Sequence, residues 1–253
     1  MNDVTIARFP NLSYAGAEAI NTLCTNLSFS GEGTKKVMLT SCQASEGKSF
    51  ISMNIMRTLS KLGKKVALVD ADIRRSMINS RFGLQYEAGS ERRGLSHLLA
   101  RMASEEDVLY RTNLPGAYMV PVGRELSNPL PLLSSPRFGR LLDWLAGRMD
   151  CVLVDAPPVG AVIDAAEIAK SCDGILIVVA YNSVRRKELA DAVQQLRQTG
   201  CPILGTVLNR VEFDSYMSKK YYYKSHYYGN YEGEEKPGAA QSSAGKGART
   251  RKK

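Results

Sequence analysis

The hydrophobic positions of this 253-residue chain change period several times, and the changes mark out its elements. Ala19, Leu23 and Leu27 stand four residues apart and Ile20 widens the same face, which predicts a helix over 15–29, stopped by Gly31 and Gly33. Val37 to Thr40 is a short run of strand character. Ile51, Ile55, Leu59 and Leu62 return to helical spacing until Gly63 closes that helix. The uninterrupted apolar run over 66–69 predicts a strand covered on both faces, as in a parallel sheet, and 151–154, 175–179 and 203–208 read as further strands. Tyr118 to Val122 reads as a further strand. Ser135 can cap a helix carrying Phe138, Leu141, Leu142 and Leu145, and helices are expected over 161–169 and 184–198. Residues 1–14, broken by Pro10 and Asn11, read as irregular; 73–116 reads as polar, Gly-rich chain with one short helix near 95–101, and 128–136 as a proline-punctuated loop. Strands alternating with helices of this length need right-handed crossovers, so the expected class is α/β, a doubly wound, mostly parallel sheet flanked by helices.

The polar residues after the first strand carry the first chemistry. In VMLTSCQASEGKSF (37–50) a strand enters a short loop that ends in Gly47, Lys48 and Ser49 at the head of a helix. That is the pattern of a phosphate-binding turn. Backbone N–H groups converge on an anion, Gly47 permits close approach, Lys48 reaches the outer phosphates and the Ser49 hydroxyl can ligate Mg²⁺. The candidate nucleotide-binding residues are therefore Ala44, Ser45, Glu46, Gly47, Lys48, Ser49 and Phe50. Cys42 replaces the glycine that opens the common form of the pattern, and a strand-to-helix turn that merely contains GKS stays open on this stretch alone.

Two strand ends add acids. The run over 66–69 ends in Asp70, Ala71 and Asp72; alternate residues of extended chain share a face, so the two carboxylates are expected on one side. Acids so placed repel unless a cation or a shared proton intervenes, and beside a phosphate loop the cation is Mg²⁺. The run over 151–154 ends in Asp155, then Ala156, Pro157 and Pro158: one carboxylate for the metal shell, then prolines that turn the chain away. Any one of these aspartates could be a helix cap or a solvated loop acid. With the GKS loop they point to a P-loop NTPase-like nucleotide site.

The combination of ALVDADIRRS, CVLVDAPP and a GKS loop without its first glycine resembles the bacterial tyrosine kinases linked to capsule and exopolysaccharide synthesis. The resemblance extends through EAINTLCTNLSFS, GLSHLL, PVGRELSNPLPLL and GTVLNRV. Septum-placing and plasmid-partitioning ATPases of the related deviant type carry a second lysine five residues before the loop lysine, where this chain has Gln43. The resemblance implies an ATP- and Mg²⁺-dependent protein-tyrosine kinase that autophosphorylates and regulates polysaccharide synthesis and export. It implies that Lys48, Asp70, Asp72 and Asp155 form the catalytic group, with Ser49, Asp155 and, through water, Asp70 holding Mg²⁺. Asp72 would orient the acceptor phenol or take its proton, and Asn209 would recognise adenine.

After the last predicted strand, DSYMSKKYYYKSHYYGNYEGEE holds Tyr216, Tyr221, Tyr222, Tyr223, Tyr227, Tyr228 and Tyr231 with almost no aliphatic residues. No core hides so many phenols side by side, so the segment is expected to be exposed. The resemblance implies that these tyrosines are the autophosphorylation sites. Lys219, Lys220, Lys224 and His226 among them leave stacking on single-stranded nucleic acid as a competing reading, which is not the preferred one. The boundary follows: a kinase domain over 1–213 and a flexible tyrosine-rich, basic tail over 214–253.

Composition changes little in this picture. At 44% hydrophobic and 23% charged the chain suits one α/β domain with tails, and its net charge of +9 is partly gathered in Lys246, Arg249, Arg251, Lys252 and Lys253. Five scattered cysteines, Cys24, Cys42, Cys151, Cys172 and Cys201, suggest neither zinc nor a disulfide framework and fit a reducing cytoplasm. The start lacks signal-peptide character, and the run Ile175 to Ala180 is too short to cross a bilayer. The expected location is the cytoplasm, at the inner face of the membrane through a partner.

Partners follow from the resemblance: a separate membrane protein as anchor and activator, and a phosphotyrosine phosphatase. In the family a Glu-x-x-Arg-x-x-Arg pattern in the N-terminal helix mediates ring assembly; here Glu18 is kept, but Asn21 and Cys24 stand at the arginine positions. Weaker or differently built oligomers are expected. The alternative function is a nucleotide-switched positioning ATPase that phosphorylates no protein.

Overall fold

The computed structural model describes residues 2–31, 33–87 and 91–211, the last lying in a compact unit, Met1–Val211. The tyrosine tail over 214–253, and with it every expected autophosphorylation site, lies outside the described residues.

The chain runs β1 (Asn2–Ile6), α1 (Tyr14–Ser28), β2 (Lys36–Ser41), α2 (Lys48–Lys61), β3 (Val66–Asp70), α3 (Ile78–Phe82), β4 (Leu84–Tyr86), α4 (Leu95–Leu99) and α5 (Glu105–Val108). It continues through β5 (Tyr110–Thr112), β6 (Ala117–Val120), α6 (Leu130–Leu133), α7 (Pro136–Ala146), β7 (Cys151–Asp155), α8 (Asp164–Ala169), β8 (Gly174–Ala180), α9 (Arg186–Arg197) and β9 (Ile203–Asn209). Among the described residues the strands form one nine-stranded sheet in the order β4-β1-β5-β6-β3-β7-β2-β8-β9. The pairs from β6 through β9 are all parallel, whereas β1 with β4 and β5 with β6 are antiparallel.

Alternation on the central strands explains why they read as unbroken apolar runs. Met38, Val152, Val154, Ile175 and Ile177 face one core; Val37, Leu39, Leu153, Leu176 and Val178 face the other. The first core is completed by Phe138, Leu141, Leu142 and Leu145 of α7, the second by Ile51, Ile55 and Leu59 of α2. Each such side chain, fully buried, contributes about 1.5–3 kcal/mol relative to exposure. α2 ends as its sequence requires: Gly63 takes φ 74°, and Lys64 N–H reaches back to the Leu59 carbonyl at 3.0 Å, closing the helix with a left-handed glycine.

The expectation for residues 1–14 is corrected. Residues 2–6 are strand β1, with Val4 and Ile6 buried on its inner face, pairing with β5 in parallel and β4 in antiparallel register. The polar stretch 73–116 likewise supplies two strands and three short helices besides irregular chain, and a short helix, α6, sits in the expected loop at 128–136. The helix expected from 161 begins at Asp164. Ser135 precedes α7 as expected, but makes no side-chain cap; its hydroxyl donates to the Leu132 carbonyl at 2.7 Å.

Candidate functional site

Three adjacent strands deliver the chemistry to one edge of the sheet. β2 runs into the phosphate loop, and in the neighbouring β3 and β7 Asp70 and Asp155 stand in register with each other. The loop closes through 42–47 into α2, whose first residue is Lys48. Ser45 at φ 66° and Gly47 at φ 97° put two left-handed residues around Glu46, a backbone alternation that gathers N–H groups into an anion-binding nest. A Cβ on Gly47 would lie 2.1 Å from Asn209 Nδ2, so this glycine is required twice, by its φ and by its neighbour. Cys42 is not left-handed and is buried at 3% exposure, which is why the turn tolerates a side chain where the common pattern has glycine.

The loop is braced from behind by its own Glu46. This buried carboxylate accepts from Gln43 N–H at 2.7 Å, from Ala180 N–H at 3.2 Å and from the Ser183 hydroxyl at 3.0 Å, tying the loop to the end of β8. Asn209, expected to recognise a base, lies against Gly47 and donates its Nδ2 to the Glu46 carbonyl at 2.8 Å. Phe50 packs partly buried against the second core.

Lys48 Nζ donates to Asp72 Oδ2 at 2.9 Å and lies 4.0 Å from Asp155 Oδ2. Burial lowers the ammonium's proton affinity, but the fields of Asp155, Asp72 and Asp70 outweigh it, so its pKa is raised and the amine is held charged. Asp155 Oδ1 accepts a hydrogen bond from the Ser52 hydroxyl at 3.2 Å, and the Ser49 hydroxyl acts on the same carboxyl to lower its pKa. Burial raises its pKa despite the nearby Lys48. Asp70 is pushed well up: burial comes first, then the Asp155 charge, and the Ser76 hydroxyl hydrogen-bonds to it directly. The expected constellation of Lys48, Asp70, Asp72 and Asp155 is thus one cluster. Asp72 lines the cleft with the loop, whereas Asp70 lines a second hollow with Ser76, Asn79, Arg92 and Arg93.

Among the described residues, Asp155 Oδ2 and Asp70 Oδ1 are buried without a hydrogen-bond partner. Unpartnered carboxylate oxygens beside a loop-terminal hydroxyl, Ser49, fit Mg²⁺, which keeps several waters and takes one or two protein oxygens plus phosphate. Among the described residues no group of three His, Cys, Asp or Glu side chains forms a cage for a metal by itself, as that mode of binding requires none.

The cleft in front of the loop, about 270 Å³, is lined by Ala44, Ser45, Gly47, Lys48, Ser49 and Asp72, with Pro157 and Pro158 opposite. It also holds Arg74, Arg75 and Arg81, which sequence reasoning passed over although IRRS stands directly after Asp72. Arg74 grips the buried Asp164 with both Nε and Nη2, the second contact at 3.1 Å, and so pins α8 to the rim of the cleft.

Comparison with known proteins places this geometry among relatives. Residues 37–228 match the CobQ/CobB/MinD/ParA nucleotide binding domain. The chain is 34% identical over 194 residues to the tyrosine-protein kinase CpsD of Streptococcus agalactiae, covering 77% of this chain and 82% of that one. It is 34% identical over 212 residues to the putative tyrosine-protein kinase EpsB of Ralstonia solanacearum, but those cover only 27% of EpsB. Its fold superposes on the kinase domain of the Escherichia coli tyrosine kinase ETK with a TM-score of 0.70 and 30% identity, over 79% of this chain and 78% of that domain.

Proposed function

The chain belongs to the CobQ/CobB/MinD/ParA nucleotide-binding family and, within it, to the bacterial protein-tyrosine kinases, and from that premise we propose that it phosphorylates the tyrosines of its own C-terminal segment to regulate exopolysaccharide or capsule synthesis and export. The observation that carries the proposal is the placing of the Lys48 ammonium between Asp72 and Asp155 at the mouth of an anion-binding loop. The candidate acceptors are Tyr216, Tyr221, Tyr222, Tyr223, Tyr227, Tyr228 and Tyr231.

In the proposed reaction the N–H groups of 44–50 and the Lys48 ammonium hold the outer phosphates of ATP. Ser49 and Asp155, with Asp70 through water, would hold Mg²⁺, which supplies charge neutralisation to the transferring phosphoryl group. Lys48, turning to the phosphates, releases Asp72. A free phenol has a pKa near 10 and is protonated at neutral pH, so a base is needed. Asp72 is the proposed group that orients the acceptor hydroxyl and takes its proton as the oxygen bonds to phosphorus and the bond to the departing ADP oxygen breaks.

No helix among the described residues is long and apolar enough to cross a membrane. The site of action is proposed to be the inner face of the membrane, reached through a separate membrane protein that anchors and activates the kinase. EpsB, of which the matched part is 27%, supports this by showing a relative with much additional chain. A cognate phosphatase would reset the tail. Purified chain incubated with labelled ATP and Mg²⁺, then mapped by peptide, is expected to carry phosphotyrosine within 216–231. Release of free phosphate without phosphotyrosine, under conditions that include the membrane fraction, would overturn the reading.

A further inference from the structure

A loop that aims its N–H groups at an anion turns its carbonyls outward, and each of those needs a donor from elsewhere. For six of the carbonyls over 41–47 the donors can be named. The Ser41 carbonyl accepts from Val159 N–H at 2.8 Å, Cys42 from Gly160 N–H at 3.2 Å, Gln43 from the Ser41 hydroxyl at 2.7 Å, and Gly47 from Ile51 N–H at 3.0 Å. The two carbonyls in the left-handed part of the loop are met by side chains from one place, the end of β9. Asn209 Nδ2 donates to the Glu46 carbonyl at 2.8 Å and Arg210 Nη2 to the Ser45 carbonyl at 2.5 Å.

The backbone on both sides of this contact is uncommon. Ser45 has φ 66° and Arg210 has φ 58°, a region that residues with a Cβ occupy only where their surroundings over-determine it. Arg210 follows an edge strand and is itself exposed, so core packing does not account for its conformation. Among the described residues, the hydrogen bond its side chain makes is the one to the loop. A guanidinium is suited to it, because it is always charged and its charge-assisted hydrogen bond to a carbonyl is stronger than a neutral one.

We propose that Arg210 is a positioning residue for the phosphate site: together with Asn209 it holds the Ser45 and Glu46 carbonyls outward, so that the N–H groups of the loop are ordered before any phosphate arrives. The proposal rests on the reading of 42–49 as a phosphate loop and not on phosphotransfer. It assigns Arg210 to the triphosphate end of the nucleotide, acting through the backbone, and gives it no contact with base or ribose.

The test uses the full chain with Arg210→Ala and Arg210→Lys. Amide hydrogen exchange is followed in the nucleotide-free protein, and affinity is measured for inorganic tripolyphosphate and for MgADP. Arg210→Ala is expected to speed exchange over 43–49 while leaving β7 unchanged, and to weaken both ligands by a similar factor of about ten. Arg210→Lys, which keeps charge and one donor, is expected to recover part of both effects and serves as the comparison if the alanine variant loses its fold. Weakened MgADP with unchanged tripolyphosphate would assign Arg210 to the base or ribose and overturn the proposal. Both ligands weakened with unchanged loop exchange would reduce it to a distant charge, and no change in either would remove it. A variant series behaving as expected in a chain that never yields phosphotyrosine would count against the kinase reading alone.

Discussion

Lys48 Nζ stands 2.9 Å from Asp72 Oδ2 and 4.0 Å from Asp155 Oδ2, with side-chain exposures of only 12%, 9% and 1% for the three residues. One buried cation therefore sits in the field of three carboxylates, Asp155, Asp72 and Asp70. Removing it leaves acids buried without their counter-charge, which costs about 3–5 kcal/mol for a fully buried pair. Lys48→Met is expected to abolish phosphotyrosine formation and to lower the melting temperature at pH 7. The loss should shrink toward pH 5, as the acids take up protons instead. Retained ATP-dependent labelling of Lys48→Met would remove the loop from the mechanism.

What the sequence made legible divides along the length of chain between partners. Val66 to Val69 and Cys151 to Val154 announced themselves because both faces of these central strands are buried, and the acids that follow them fell at the sheet's carboxyl edge as that topology demands. β1, β4 and β5 were missed because they are three to five residues long and owe their existence to each other: Val4 pairs with Tyr86 on one side and Thr112 on the other. Gly47, Lys48 and Ser49 could be read locally. The brace formed by Glu46 could not, since its partners Ala180 and Ser183 lie 134 and 137 residues away, nor could the contact of Asn209 with Glu46 across 163 residues. Such residues look like ordinary loop polar groups until the fold closes.

Asp70 offers a pH signature. Its carboxyl pKa is raised in the fold by burial and by the Asp155 charge, so between its ordinary value near 3.8 and the raised value the folded state binds more protons than the unfolded one. Stability then falls as pH rises through that window. The neutral form is the favoured one in the fold: its contribution is fully present below the ordinary value near 3.8 and is lost progressively as pH rises to the raised folded pKa. Asp70→Asn removes the charge while keeping an acceptor for Ser76, and is expected to stabilise the nucleotide-free protein at pH 7 by about 1–3 kcal/mol. Thermal melts of wild type and variant from pH 3.5 to 8 should draw together toward the acid end, as pH approaches the ordinary carboxyl value near 3.8. A variant less stable than wild type at pH 7 would contradict the reading that burial and the Asp155 charge outweigh Lys48 at the Asp70 carboxyl.

Glu46 separates bracing from anion binding. Glu46→Ala would leave the N–H groups of Gln43 and Ala180 without their acceptor, each buried unpaired group costing about 1–3 kcal/mol. Glu46→Gln keeps one acceptor oxygen and places an amide donor where the other stood, facing an N–H. Both variants are expected to melt earlier and to bind MgADP more weakly, the glutamine variant less severely in stability. If either bound MgADP as tightly as wild type, the loop would not depend on its tie to β8.

The outward face of α1 bears on assembly. Asn21 is exposed and its Nδ2 donates to Glu18 Oε1 at 3.1 Å, whereas Cys24 is 1% exposed and beside Cys151, with burial raising both thiols to about 12. The two positions that carry arginine in the ring-forming pattern are therefore not equivalent here. Asn21→Arg can pair with Glu18 one turn away and is expected to change stability by no more than about 0.5 kcal/mol. Cys24→Arg would drive a guanidinium into the core beneath α1, against α2 and Cys151, at a cost of about 4 kcal/mol or more. Restoring both arginines should thus yield a poorly folded chain rather than a ring. Light scattering of the wild-type chain is expected to show no stable closed ring, and a well-folded, ring-forming double variant would mean that α1 is seated differently from the packing described.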